Sequence, residues 1–135
     1  MATHVRKDVF HVGSKLPKRV VQTDGIFQVG VGLGLLLGGA SVAAWLNLGV
    51  GVVWIIAAVA LISGAGTLYL AQRVNARLLR IGALANLVGI VVIVAVLALD
   101  WNGLFNEGRW LLALLADAFL ILGVAEAYVG RYVEQ

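Results

Sequence analysis

Four long apolar runs, at 26–46, 50–71, 78–99 and 110–130, divide the chain, and short polar interruptions separate them. Each run is about 20 residues, the length at which a helix rising about 1.5 Å per residue crosses about 30 Å of hydrocarbon. A helix facing water would carry a polar stripe at 3.6-residue spacing, whereas 81–99 holds a single strongly polar side chain, Asn86. The runs are continuous and do not alternate. They predict helices, which satisfy their own backbone hydrogen bonds in lipid, and not membrane strands. The expected fold class is all-α: a four-transmembrane-helix bundle with a short amphipathic N-terminal segment.

Residues 1–24 are expected to form that basic amphipathic cytoplasmic segment, and 25–135 the transmembrane domain. Val5, Val9, Val12 and Leu16 recur at helical spacing before Pro17, where the pattern is expected to stop. Such a segment suits an anionic leaflet. On its other side His4, Asp8 and His11 fall at i, i+4 and i+7, a spacing that sterically permits a metal. No fourth ligand is apparent, so a solvated face is the simpler reading and no metal is assigned.

Composition strengthens the membrane reading: 61% of the residues are hydrophobic and 13% charged, against roughly half and a quarter in soluble domains. The mean hydropathy is +0.98. With no cysteine, disulfides, thiolate metal sites and thiol redox chemistry are excluded. The formal charge of +3 does not point to nucleic acid, because the ten Lys and Arg are spread around the apolar runs. Their placement reads as topology. Five precede the first run, Arg73, Arg77 and Arg80 lie at the second connection, Arg131 ends the fourth run, and only Arg109 falls on the opposite side. This bias places both termini in the cytoplasm. Trp45, Trp54, Trp101 and Trp110 cluster at the opposite ends of the runs, and Tyr69, Tyr128 and Tyr132 at the cytoplasmic ends, as two aromatic belts.

Two other features admit competing readings. Ser41-Val42-Ala43 resembles a signal-peptide cleavage site, but the preceding charged region is long and the apolar run continues through it, so a retained span is expected. A shift of 56 residues superposes Trp45 on Trp101, Leu48 on Leu104, Trp54 on Trp110, Ala57 on Ala113 and Ala60 on Ala116. Either the two hairpins are related by a parallel repeat, or both turns need interfacial tryptophans and small residues.

Gly30, Gly34 and Gly38 repeat every fourth residue in the first run, a stripe expected to let another helix approach closely, within the monomer or between subunits. Their spacing does not match a nucleotide-binding loop, and no strand precedes them. By helical rise, Ser63 and Asn86 lie on the order of 10–12 Å from the cytoplasmic edge and Asp117 about 18 Å from it. Asp117, Asn86 and Ser63 are therefore the candidate intramembrane polar site, with Asp117 expected to face the interior, as a proton- or cation-linked group or as polar glue. Glu126 lies about 180° around the helix from Asp117 and is expected at the interface, near Arg77, Arg80 and Arg131.

No histidine occurs in the runs, and no nucleophile–base pair can be assembled, so neither a catalytic residue nor a cofactor is expected. The stretch from Asp24-Gly25 to Ala44-Trp45-Leu46-Asn47-Leu48-Gly49, with Ala83-Leu84-Ala85-Asn86, Ala116-Asp117-Ala118, Glu126 and Arg131, resembles an uncharacterised family of small bacterial four-span integral membrane proteins. The resemblance spans about 110 residues and implies a bacterial inner-membrane protein. Small drug exporters and fluoride channels share the length, but the first-helix Glu of the former and the Phe and Asn signatures of the latter are not evident here. The leading expectation is a non-enzymatic structural or interaction protein, a subunit docked on itself or on another membrane protein. The alternative is a small proton- or cation-linked transporter or channel using Asp117.

Overall fold

The computed structural model describes residues 2–133, with side chains described from residue 15 onward. The His4, Asp8 and His11 set, with Val5, Val9 and Val12, lies outside the described side chains. The elements are α1 (Ala2–Leu37), α2 (Gly39–Leu46), α3 (Val50–Leu70), a 3₁₀ turn (Ala71–Arg73), α4 (Ala76–Leu99), a second 3₁₀ turn (Trp101–Gly103) and α5 (Asn106–Val133). No strand occurs among the described residues. Among the described residues four segments are long and apolar enough to cross a membrane: Lys15–Leu37, Val50–Arg73, Ala76–Leu99 and Asn106–Val133.

Two expectations about the first span are corrected. Pro17 does not end the helix, since α1 runs from Ala2 through it to Leu37, and the helix packs into the bundle before residue 26, with Val21 and Asp24 buried. Proline in a helix removes one backbone hydrogen bond, and here the turns on either side carry the helix past the loss. The run also bends at Gly38, which separates α1 from α2 with φ −99° and ψ 13°. Gly38 N still donates to Gly34 O at 2.8 Å, and Val42 N to Gly38 O at 2.9 Å. The break is thus a kink at a Gly-Gly pair, where no Cβ resists the change in dihedral.

Local sequence ends the other elements. Asn47 closes α2 in the left-handed region, φ 54° and ψ 44°. Leu48 N bonds Ala43 O at 2.9 Å and Asn47 N bonds Ala44 O at 3.3 Å, the pairing of a Schellman cap. Asparagine tolerates this conformation better than a β-branched residue does. Asn47→Gly should therefore leave thermal stability in detergent unchanged, while Asn47→Val should lower it by about 1–2 kcal/mol; equal stability of the two variants would remove the cap from the account. Asn75 caps α4, its side chain accepting from Leu78 N at 2.8 Å.

The spans pack as two antiparallel pairs, α1 with α3 and α4 with α5, joined where α1 meets α5. Across the molecule the order is α3, α1, α5, α4, and the two outer helices scarcely touch. The α1–α3 seam repeats every seven residues. A Cβ added at Gly25 would lie 2.7 Å from Leu68 Cγ, and one at Gly32 2.6 Å from Leu61 Cγ. At Gly39 it would meet Trp54 Nε1 at 2.6 Å, and at Gly64 it would meet Val29 Cγ2 at 2.7 Å. Glycines on each helix thus receive large side chains of the other, the close small-residue packing that holds helices together in lipid. Gly30 and Gly34 have open space around their Cβ positions, and Gly38 meets mainly its own helix. The four-residue stripe is therefore not the packing face within the chain; a seven-residue repeat is, because two antiparallel helices stay in contact at 3.5 residues per turn.

At the end remote from the termini, Phe105 N donates to Trp45 O at 3.1 Å, and Gly108 packs directly beneath that same carbonyl. Arg109 donates to Trp101 O at 3.1 Å through Nε and 2.6 Å through Nη2, and its guanidinium lies 4.3 Å from the Trp101 ring centre. The one arginine on this side pins its own loop. Leu104 is buried while Leu48, its counterpart in the 56-residue shift, is exposed, so equivalent positions of the two hairpins have different environments.

Candidate functional site

The spans are so apolar that each polar side chain inside them needs a partner. The seam-facing positions of α5 run Leu112, Leu115, Phe119, Leu122, Glu126 and Val129, alternating steps of three and four, and Glu126 takes one of them. Its residue is 1% exposed. On α1 Asp24 is 2% exposed, and on α4 Asn86 is 4% exposed.

These groups meet. The buried side chains of Asp24 and Glu126 lie against one another. Asn86 Nδ2 donates to Gly82 O at 3.0 Å and to Glu126 Oε2 at 3.4 Å. Gln28 Nε2 donates to Asp24 Oδ1 at 3.0 Å, and Ser63 Oγ donates to Gln28 Oε1 at 2.5 Å. The side chains form one row, Ser63, Gln28, Asp24, Glu126, Asn86, in the same order as the helices α3, α1, α5, α4 that carry them. Every span contributes. Among the described residues no buried side-chain nitrogen or oxygen is left without a hydrogen-bond partner.

Small residues make the space. A Cβ on Gly82 would overlap the Glu126 carboxyl group, and one on Gly123 would lie 3.2 Å from Asn86 Cβ. Apolar packing closes the row on both sides. Toward the chain termini lies a cluster of Val21, Ala71, Leu79 and Val129. Away from them Phe27 and Phe119 meet edge to face at 5.7 Å. A bond between two carboxyl groups requires a proton on one of them, because an ionised carboxylate only accepts. In a low-dielectric setting two bare negative charges in contact repel strongly.

Sequence positions singled out above are distributed unevenly around this row. Asn86 lies in it, and Ser63 reaches it through Gln28. Asp117 does not: it is exposed on the outer face of α5, which corrects the expectation that it faces the interior. Glu126 is likewise corrected from an interfacial side chain to the buried acid. The half-turn between the two is real, and the seam takes the residue in phase with Phe119 and Leu122. Arg80 is exposed on the outer surface, as are Trp54, Trp101 and Trp110, while Trp45 is half-buried. Asp24 and Gln28 are additions. Their signal was an acid and an amide at i and i+4 on one helix face, just before the point where the apolar run seems to begin.

A helical chain with four membrane-length apolar segments and a polar row joining all of them defines a multi-pass membrane protein. No protein-family model, no curated protein and no solved structure matches the chain.

Proposed function

We propose that this chain is a small proton- or cation-linked transporter or channel of the plasma membrane, with both termini in the cytoplasm and no enzymatic activity. The observation that carries the reading is the contact of two buried carboxyl groups, Asp24 and Glu126, inside the spans. Polar glue needs only amides and hydroxyls, whereas a carboxyl pair in a bilayer can exchange a proton for another cation and change its hydrogen bonding as it does so. Because the row crosses from α3 to α4, a change in its occupancy is felt by every span.

In proteoliposomes with an imposed pH gradient, alkali-cation or proton flux should exceed that of protein-free vesicles. Asp24→Asn, which keeps the hydrogen bond to Gln28 but removes one acid, should reduce that flux at least tenfold without loss of folded protein. Flux equal in the parent and in Asp24→Asn would remove the pair from the function.

A second reading, a structural subunit of a homo-oligomer or larger membrane complex, is favoured by Gly30, Gly34 and Asp117, which are exposed on the surface of the single chain. The two readings separate by purification from native membranes in mild detergent. A subunit co-purifies in fixed stoichiometry with its partner, while a transporter moves its ion alone.

A further inference from the structure

The sides of α4 and α5 that turn away from the rest of the molecule do not close on one another along their whole length. Near the chain termini they leave an open groove of about 340 Å³, with Arg80 and Arg131 on its rim. Its floor is Ala83, Ala127 and Gly130, with Leu84 alongside. The two helices run in opposite directions, so Arg80 lies near the start of α4 and Arg131 near the end of α5, at the same end of the bundle. Ala83 and Ala127 lie about one turn deeper, roughly 5–6 Å toward the middle of the span. Charge therefore sits where lipid headgroups lie, and small apolar residues sit where acyl chains begin.

We propose that this groove binds one anionic phospholipid, its phosphate between Arg80 and Arg131 and the upper part of one acyl chain over Ala83, Ala127 and Gly130. Basic positions at the cytoplasmic end of a pair of membrane helices attract anionic headgroups, and guanidinium groups bind phosphate through paired hydrogen bonds. The small residues matter as much as the charges. A leucine at 83 or 127 would fill the depression, while alanine and glycine leave the width of a hydrocarbon chain. A soluble anion has no use for that floor. Glu126 borders the groove at its deeper end, with its carboxyl turned inward to Asn86 and Asp24, so the lipid phosphate and the buried acids occupy different depths. The site does not depend on the carboxyl pair exchanging ions.

The experiment uses the full chain purified in mild detergent and offered equal amounts of phosphatidylglycerol and phosphatidylcholine with identical acyl chains, with retained lipid counted by native mass spectrometry. Phosphatidylglycerol should be retained about tenfold or more over phosphatidylcholine, the preference expected of two basic contacts. Arg80→Gln with Arg131→Gln should bring the ratio near one, and Ala127→Leu should lower retention of both lipids. Asp24→Asn should leave the ratio unchanged, which separates this site from the ion site. Equal retention of the two lipids by the parent chain would overturn the proposal, whatever the fate of the variants. Displacement of phosphatidylglycerol by millimolar inorganic phosphate would overturn it too, by assigning the arginines to a free anion.

Discussion

Gly32→Leu should cost several kilocalories of stability, about 3 kcal/mol or more, while Gly34→Leu, two residues away, should leave thermal stability of the single chain in detergent unchanged. The contrast follows from the α1–α3 seam. A Cβ at position 32 already lies 2.6 Å from Leu61 Cγ and 3.0 Å from Ala57 O, so a leucine there must move backbone. At position 34 nothing lies within 4 Å. In water an overpacked core is partly compensated by the drive to bury apolar surface, but in lipid the separated helices find hydrocarbon equally good, so close contact is what holds them. Thermal unfolding of both variants, followed by loss of monodisperse protein on size exclusion, checks the claim. A Gly32→Leu variant as stable as the parent would mean that the seven-residue seam is not the packing interface. Should Gly34→Leu change only the oligomeric state, position 34 faces a second chain.

Glu126→Leu should be the most damaging substitution in the polar row. It removes the partner of Asp24 and one of the two acceptors of Asn86 Nδ2, leaving an acid facing an apolar wall. With about 1–2 kcal/mol for each membrane hydrogen bond, a loss of about 2–4 kcal/mol is expected. Glu126→Gln should differ in kind. Glutamine donates through its amide to Asp24 and accepts from Asn86, so the fold survives, but the site loses the second acid and with it the ability to trade a proton for another cation. Gly82→Ala approaches the same site from the other helix, since its methyl group occupies space held by the Glu126 carboxyl. It should therefore reduce ion flux with the acids intact. Thermal stability and proteoliposome flux measured together on these three variants check the assignment; full flux in Glu126→Gln would show that the second acid is dispensable.

The number and approximate limits of the spans were legible in the sequence, because run length and the rarity of polar side chains leave few alternatives for the regions around Val53, Ile93 and Leu122. The start of the first span was not. Lys15, Lys18, Arg19 and Asp24 make the stretch look aqueous, and only packing against Ala71, Leu79 and Val129 reveals Val21 as core. The same boundary hid half of the site, since a membrane domain taken to begin at residue 25 leaves Asp24 outside it. Asn86 was visible as the lone polar residue of its run. The choice between Asp117 and Glu126 turned on phase. Depth alone favoured Asp117 as the buried acid, but the three-and-four spacing of Leu112, Leu115, Phe119, Leu122 and Val129 admits Glu126 and excludes Asp117. Gly82, Asn86 and Gly89 on α4 have the same spacing and mark the facing surface. The glycines of the first run mislead in a similar way, because Gly30, Gly34 and Gly38 form the more familiar motif, while Gly25, Gly32 and Gly39 match the geometry of an antiparallel pair.

The claim that Asp24 and Glu126 hold a single exchangeable cation between them is tested most directly by infrared difference spectroscopy of the full chain in lipid nanodiscs. A protonated carboxyl group has a carbonyl band distinct from that of a carboxylate, so the shared proton is observable without any transport assay. The account predicts an acid band in the parent protein that is altered by Glu126→Gln and by Asp24→Asn, persists in Asp117→Asn, and falls when a competing alkali cation or base is added. A parent spectrum in which the acid band is absent, or in which the band is present and unmoved by cations and by pH, would contradict it.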